Sequence, residues 1–306
     1  MAWFQSKSLK EPEMNISAPD GTLPLQIEQL WVYPIKSCAG IRLEQAELQD
    51  AGLEWDRAWM VIDEQGDFVS QRELPRLALV RPVLHLGQLE LHAPGMLALP
   101  IGLADEGEPR QVRVWDDPVA AWDMGDAAAL WFSEFLQAPL RLVRFDPAVR
   151  RLSSARWTGA VEAPNRFSDG FPLLLLSSAS LAELNERLRV AGEAPVGIER
   201  FRPNIVLGGL EAHDEDRLAE LRFALDDGGE VRLQPVKPCA RCPIPDIDPV
   251  TAQSGTTVRD ALQRYRQDQR LFGALTFGMN AIVRAGAGSL LRVGQLGWGE
   301  WDAWDD

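Results

Sequence analysis

The sequence predicts a β-rich α+β protein of two domains. Short strands in its first half suggest a small barrel or sandwich, and its second half combines strands with attached helices. Three observations carry this. Apolar and polar residues alternate with period two from Gln26 to about Val119. Helical spacing is confined to Asp126–Leu136, Ser180–Val190 and Thr257–Gln267. The length, 306 residues, favours two domains or one large one.

The elements follow in order. Ile27–Tyr33, Ile41–Leu48, Trp59–Asp63 and Phe68–Ser70 read as strands. Glu64-Gln65-Gly66-Asp67 is a hairpin turn, with Gly66 where positive φ is required. The first helix carries Ala127, Leu130, Trp131 and Phe135 at helical spacing. Residues 150–165 form a polar, irregular link. Pro172–Leu176 is a buried strand, and Ser180 with Glu183 forms a capping box opening the next helix. Asn204–Gly208 and Val231–Gln234 are further strands, and Leu271–Val293 supplies closing strands with glycine-rich turns.

Charge and cysteine usage narrow the function. A net charge of −14 argues against non-specific binding of nucleic acid. No apolar run reaches the length of a membrane span. Three cysteines form no even disulfide framework and fit a reducing cytoplasmic compartment. Residues 1–25 read as a disordered arm and 298–306 as an acidic tail. The chain contains four lysines, and two of them, Lys36 and Lys237, lie beside cysteine-bearing motifs. An arginine-favouring composition explains that distribution; a shared anion site is the sharper explanation.

Pro238-Cys239-Ala240-Arg241-Cys242 places two cysteines beside a cation in a proline-rich stretch that cannot be regular helix. Structural zinc needs four ligands, and His85, His92 and His213 are scattered. Pro243 and Pro245 oppose the helix that a thioredoxin-type pair caps. Two inert buried cysteines remain possible, as does one thiolate on a loop binding a cofactor-borne metal. Tyr33-Pro34-Ile35-Lys36-Ser37-Cys38-Ala39-Gly40 ends a strand and offers a lysine, a hydroxyl and turn N–H groups to a phosphate. Arg57 and Arg72 flank the hairpin symmetrically, either paired with Asp56 and Glu73 or holding an anion between them. Arg202-Pro203-Asn204 offers forked donors and an amide suited to a heterocycle.

Taken in order, these segments resemble the MOSC superfamily, most nearly its YcbX-like and amidoxime-reducing members, over about Gln26–Gly297. Leu30–Cys38, Asp56–Trp59 and Gln71-Arg72 resemble the N-terminal β-barrel. Phe201–Val206, Cys239–Cys242, Asp248-Pro249 and Leu271–Gly273 resemble the MOSC domain. The resemblance implies a β-barrel-like domain with a helix at 26–150, packed on a MOSC β-barrel domain with peripheral helices at 151–297. It also implies a molybdenum cofactor (Mo-molybdopterin), with Cys242 as the metal ligand. Lys36, Ser37, Arg57, Arg72, Arg202, Asn204 and Arg241 are implied to hold the pterin and its phosphate. The chain departs from animal members at Ala240, where they carry a small hydroxyl residue. It departs again at Pro245-Asp246, where they carry a threonine pair. Those departures bear on one cofactor hydrogen bond and on substrate preference.

The implied activity is two-electron reduction of N-hydroxylated compounds such as hydroxylaminopurines or amidoximes, with water leaving after protonation. Asp246 or Asp248, close to the ligand cysteine in sequence, is the expected proton relay, against the plainer reading of Asp248 as a turn initiator. No nicotinamide or flavin fingerprint and no iron–sulfur cysteine cluster is evident. Electrons are therefore expected from a separate ferredoxin, flavodoxin or reductase. Two alternatives stand beside this. One is sulfur transfer to the cofactor through a cysteine persulfide on Cys242 or Cys239, with sulfur from a partner because no pyridoxal-phosphate domain fits in the chain. The other is a carrier that binds the cofactor and hands it on.

Overall fold

The computed structural model describes residues 21–302. Seven strands close into a barrel, numbered here in chain order. They are β1 (Leu23–Val32), β2 (Leu173–Ser177), β3 (Ile205–Gly208), β4 (Leu218–Ala224), β5 (Glu230–Ala240), β6 (Ala274–Ala285) and β7 (Leu296–Trp301). Around the barrel the order is β2-β3-β1-β7-β4-β5-β6, and β6 returns to β2 through Leu175↔Met279. Only β2 and β3 run parallel; the other neighbours are antiparallel. Closure leaves no open sheet edge. Alternate residues of each strand fill the interior, among them Ile27, Leu30, Leu175, Ile205, Leu221, Leu233 and Ala281. At the seam Gly278 has φ +79°, and a Cβ there would lie 2.6 Å from the Leu175 carbonyl oxygen, so only glycine fits.

The first strand joins the two units. Ile27–Tyr33, expected in the unit at 26–150, supplies most of β1, which pairs with Ile41–Leu43 and also takes a place inside the barrel of the second half. Both of its edges find partners there, β3 and β7, and its alternating Leu25, Ile27, Leu30 and Val32 complete that core. The strand also begins at Leu23, within the expected disordered arm; residues 1–20 lie outside the described residues. Likewise Trp298–Trp301, expected in the acidic tail, belong to β7, paired with β1 and β4; residues 303–306 lie outside the described residues.

The N-terminal unit holds a four-stranded antiparallel sheet of Trp59–Ile62, Arg141–Phe145, Asp117–Asp123 and Glu108–Val114. A three-stranded sheet of Arg81–His85, Gln88–His92 and Leu99–Gly102 accompanies it. Helix α1 (Gly125–Leu136) packs on this core through Ala128, Trp131, Phe132 and Phe135. The buried stripe is displaced from the expected one, because Ala127 is exposed and Leu130 is 68% exposed. Phe68–Ser70 is not a strand. Phe68 makes one bridge to Ile62, after which Ser70 turns the chain, its N–H and hydroxyl both donating to Glu73 Oε2. The turn before it forms as expected, with Gly66 at φ +83° and its N–H donating to Asp63 O.

After a short helix, α2 (Ala155–Thr158), helix α3 (Ser178–Val190) starts two residues earlier than expected. Its cap is Ser177, whose hydroxyl accepts from Ser180 N–H, while Ser180 donates to buried Glu215. The expected box at Ser180 therefore does not form. Helix α4 stops at Thr257–Leu262, short of Gln267, which pairs with Leu275 on β6. Among the described residues no helix is long and apolar enough to cross a membrane.

Candidate functional site: a cationic cleft between barrel and N-terminal unit

A cleft of about 370 Å³ opens where the barrel meets the N-terminal unit. Six cationic side chains line it, Lys36, Arg57, Arg72, Arg202, Lys237 and Arg241, against one carboxylate, Asp169. On a chain of net charge −14 this is a local concentration of positive charge, suited to an anion.

The Lys36 turn follows β1 directly. Lys36 N–H donates to Trp59 O at 2.8 Å, Cys38 N–H to Ile35 O, and Ser37 takes φ +67°. These bonds fix Lys36, 6% exposed, so that Nζ donates to Phe167 O at 2.9 Å and to Asp169 Oδ1 at 2.5 Å. Burial draws the Lys36 pKa down against the pull of Asp169, with Arg151 and Arg57 adding to the lowering. Crowding in the cleft acts to raise Asp169, but the charge of Lys36, then of Arg57 and Arg72, outweighs it and holds that carboxylate at about 2.

Arg57 and Arg202 sit on the ring of Tyr33, at 4.5 and 4.2 Å from its centroid. Gly40 permits this stack, since a Cβ there would lie 2.4 Å from the Tyr33 ring. Arg57 is tied into the protein. Nη1 donates to Asp56 Oδ2 at 2.6 Å and Asn204 Oδ1 at 3.1 Å, and Nη2 to Arg202 O at 3.0 Å. Arg202 follows a 3₁₀ turn with φ +57°, and its Nη1 donates to Cys38 O. Its Nη2 is buried with no hydrogen-bond partner among the described residues. Asn204 is 1% exposed and faces inward; Oδ1 accepts from Leu174 N–H and Nδ2 donates to Trp31 O. Its amide therefore braces the barrel against Arg57 rather than standing free for a heterocycle.

The opposite part of the wall is the end of β5. Register shifts between Pro238 and Ala240, a bulge that re-aims the strand end. Cys239 and Cys242 both line the cleft, half-buried and exposed respectively. Arg241 Nη1 donates to Cys239 Sγ at 2.9 Å and Nη2 to Phe201 O; its buried Nε has no partner. Lys237 points between Trp157 and Phe171, 5.5 and 5.8 Å from their rings, with no acidic partner among the described residues. Lys36 and Lys237 thus share one cleft, as the sharper reading of the lysine distribution has it.

Of the residues expected at the site, Lys36, Ser37, Arg57, Arg72, Arg202, Asn204, Arg241 and Cys242 line this one cleft. Asp246 and Asp248, expected to relay protons, do not. Asp246 Oδ1 instead accepts from the N–H groups of Val258 and Arg259, tying down the start of α4; burial pushes its pKa up. Asp248 initiates a turn, Oδ1 accepting from Val250 and Thr251 N–H, and Oδ2 pairs with Arg200 at 2.8 Å. Those N–H bonds, with Arg200 adding, draw its pKa down. Asp169, Trp115 and Phe68 were missed. Asp169 follows the irregular link, where no pattern marks it. Among the described residues no three His, Cys, Asp or Glu side chains gather to hold a metal ion.

The chain matches the MOSC N-terminal beta barrel domain over residues 25–139 and the MOSC domain over residues 162–296. It is 35% identical over 261 residues to mitochondrial amidoxime-reducing component 1 of Homo sapiens, covering 81% of this chain and 75% of that one. With mitochondrial amidoxime reducing component 2 of Rattus norvegicus it shares 36% identity over 236 residues, 74% of this chain and 67% of the relative. Molybdenum cofactor sulfurase of Homo sapiens is 30% identical over 291 residues, but this chain spans only 32% of it. The protein therefore belongs to the MOSC family, carrying the MOSC N-terminal β-barrel domain and the MOSC domain on one chain.

Proposed function

We propose that the cleft binds the molybdenum cofactor and that the protein reduces N-hydroxylated compounds with electrons from a separate donor. The observation that supports this most is the donor set. Six cations surround one carboxylate, two buried guanidinium nitrogens lack partners, and a single exposed thiol, Cys242, stands on the wall. A phosphate-bearing, metal-bearing pterin satisfies all three. When bound, the cofactor supplies the two-electron oxygen-atom chemistry that breaks an N–O bond.

The chain's own residues have distinct tasks. Cys242 would hold the metal, and Lys36, Ser37 and Arg202 the phosphate. Arg57 fixes Arg202 through its backbone carbonyl at 3.0 Å. Asp169 and Lys36 close one side, each holding the other charged. The proton-delivering role falls not to Asp246 or Asp248, which do not line the cleft, but to Lys237 Nζ, an ammonium on the wall with no acidic partner among the described residues. Lys237→Met should lower kcat by about a hundredfold while changing KM little and leaving molybdenum content intact. A KM effect alone would show that Lys237 only binds substrate. The three free thiols suit a reducing cytoplasm.

The test of the whole reading is metal analysis of protein from a molybdenum-replete host, followed by assay. Turnover of an N-hydroxy compound is expected with a viologen-type donor, or with a ferredoxin or flavodoxin and its reductase. NADPH alone should give none, because no nicotinamide fingerprint is present in the sequence. Steady turnover with NADPH and no other component would refute the separate donor. Sulfur transfer is the second reading, favoured by one contact: Arg241 donates to the Sγ of Cys239, three residues ahead of Cys242, a cation placed to stabilise a thiolate or persulfide.

A further inference from the structure

One face of the cleft is aromatic: Phe68, over whose ring Lys36 Nζ lies at 4.9 Å, and Trp115, which takes no part in the contacts assigned above. Trp115 stands in the two-residue loop joining Glu108–Val114 to Asp117–Asp123, whose ends pair as Val114↔Asp117. Its φ is +57°, a position that hairpin loops normally give to glycine, asparagine or aspartate. A bulky side chain held there is strained, and such strain clusters at ligand-binding positions. The indole is nevertheless 47% exposed and lines the cleft. Core packing therefore does not explain it.

The surroundings hold the indole in place. Phe68 meets it edge-on, with ring centroids 4.9 Å apart and planes at 75°. The Arg72 guanidinium lies 4.6 Å from the Trp115 ring and 5.7 Å from Phe68. Arg72 Nε is fixed by Ser70 Oγ at 2.9 Å, and its nearest carboxylate, Glu73, is 3.8 Å away. Phe68, Ser70, Arg72 and Trp115 all line the cleft, on the N-terminal unit, whereas Cys239, Arg241, Cys242 and Ile244 line it from the barrel side. A ligand entering between them meets a flat π surface and a forked cation on one side and the exposed thiol on the other. That combination recognises a planar ring with acceptor atoms on its edge.

We propose that Trp115, Phe68 and Arg72 form the substrate subsite, and that it selects N-hydroxylated nitrogen heteroaromatics over open-chain N-hydroxy compounds. This rests on the reading of the cleft as a reductase site. The ring stacks on the indole, Arg72 donates to its edge nitrogen or oxygen, and the N–O group is left toward the Cys242 wall.

Binding is measured by calorimetry with three probes: 6-hydroxylaminopurine, the non-reducible 6-aminopurine, and acetamidoxime. Each is titrated into the molybdenum-loaded wild type, Trp115→Ala and Trp115→Phe. The affinity ratio of purine to acetamidoxime should fall about tenfold in Trp115→Ala and recover in Trp115→Phe, with molybdenum content and melting temperature unchanged. An unchanged ratio overturns the proposal. So does loss of molybdenum in Trp115→Ala with retention in Arg72→Gln, which would give the indole to the cofactor. The aminopurine arm reads the subsite without turnover. Tight, Trp115-dependent aminopurine binding beside a complete lack of reductase activity would therefore sustain the subsite and sink the reductase reading alone.

Discussion

Cys242→Ala is expected to lose molybdenum and all N-hydroxy reductase activity, whereas Cys239→Ala keeps most of both. The three cysteines differ in what surrounds their sulfur. Cys38 is fully buried in the N-terminal core, and burial pushes its thiol up to about 12 against the opposing charge of Arg202. It stays a thiol and packs. Cys239 Sγ already accepts a hydrogen bond from Arg241 Nη1 at 2.9 Å, so it is engaged within its own strand end. Cys242 is exposed, lies just beyond the bulge of β5 and has no hydrogen-bond partner among the described residues. A thiolate ligand contributes a direct bond to the metal that no neighbour here replaces, which is why the expected loss is complete rather than partial. The check is the molybdenum-to-protein ratio and the metal's coordination spectrum in both variants. Equal loss from Cys239→Ala and Cys242→Ala would reject a single ligand and favour a dithiol or persulfide relay.

The site was legible in the sequence to the extent that its residues sit in short, self-sufficient turns. Lys36-Ser37, Asp56-Arg57 and Arg202-Pro203-Asn204 each announce donors at the end of a strand or turn, and the barrel brings them together although Arg57 and Arg202 are 145 positions apart. What the turns do not announce is direction. Asp246 and Asp248 stand as near to Cys242 in sequence as any acid. One nevertheless faces the N–H groups of α4 and the other its own turn and Arg200. Side-chain direction there is set by partners from residues 200 and 250–259, which local reading does not weigh. The same limit hides most of β1's pairing: its period-two pattern is correct and Ile41–Leu43 pairs with it nearby, but β3 and β7 lie about 175–276 residues away. Trp115 was missed for the opposite reason: a tryptophan at a hairpin tip reads as a strand residue, and only its positive φ shows it to be displayed.

Arg202→Ala is expected to weaken cofactor retention by roughly tenfold to a hundredfold without unfolding the protein. The guanidinium lies against Tyr33, and Arg57 lies against the same ring, so two like charges share one π surface. Among the described residues the acid in direct contact with the pair is Asp56, which is bound to Arg57 and to Tyr33 N–H. Burial, and then the charge of Arg57, pull the Arg202 pKa down to about 10. Its Nη2 is a buried donor without a partner among the described residues, a defect that costs about 1–3 kcal/mol in the cofactor-free protein. An anionic oxygen arriving there removes the defect and adds a charge-assisted bond of about 1.5–3 kcal/mol. The free protein therefore gains little from Arg202, and the complex gains much. Truncation should leave the melting temperature of the cofactor-free protein level or slightly raised, while the cofactor-loaded protein loses most of its ligand-induced stabilisation. Arg202→Lys should recover only part, since one ammonium cannot both hold Cys38 O and reach the anion as the fork does. Dialysis of loaded wild type and both variants, followed by molybdenum and pterin analysis, decides the matter: retention by Arg202→Ala equal to wild type would show that the phosphate sits elsewhere in the cleft.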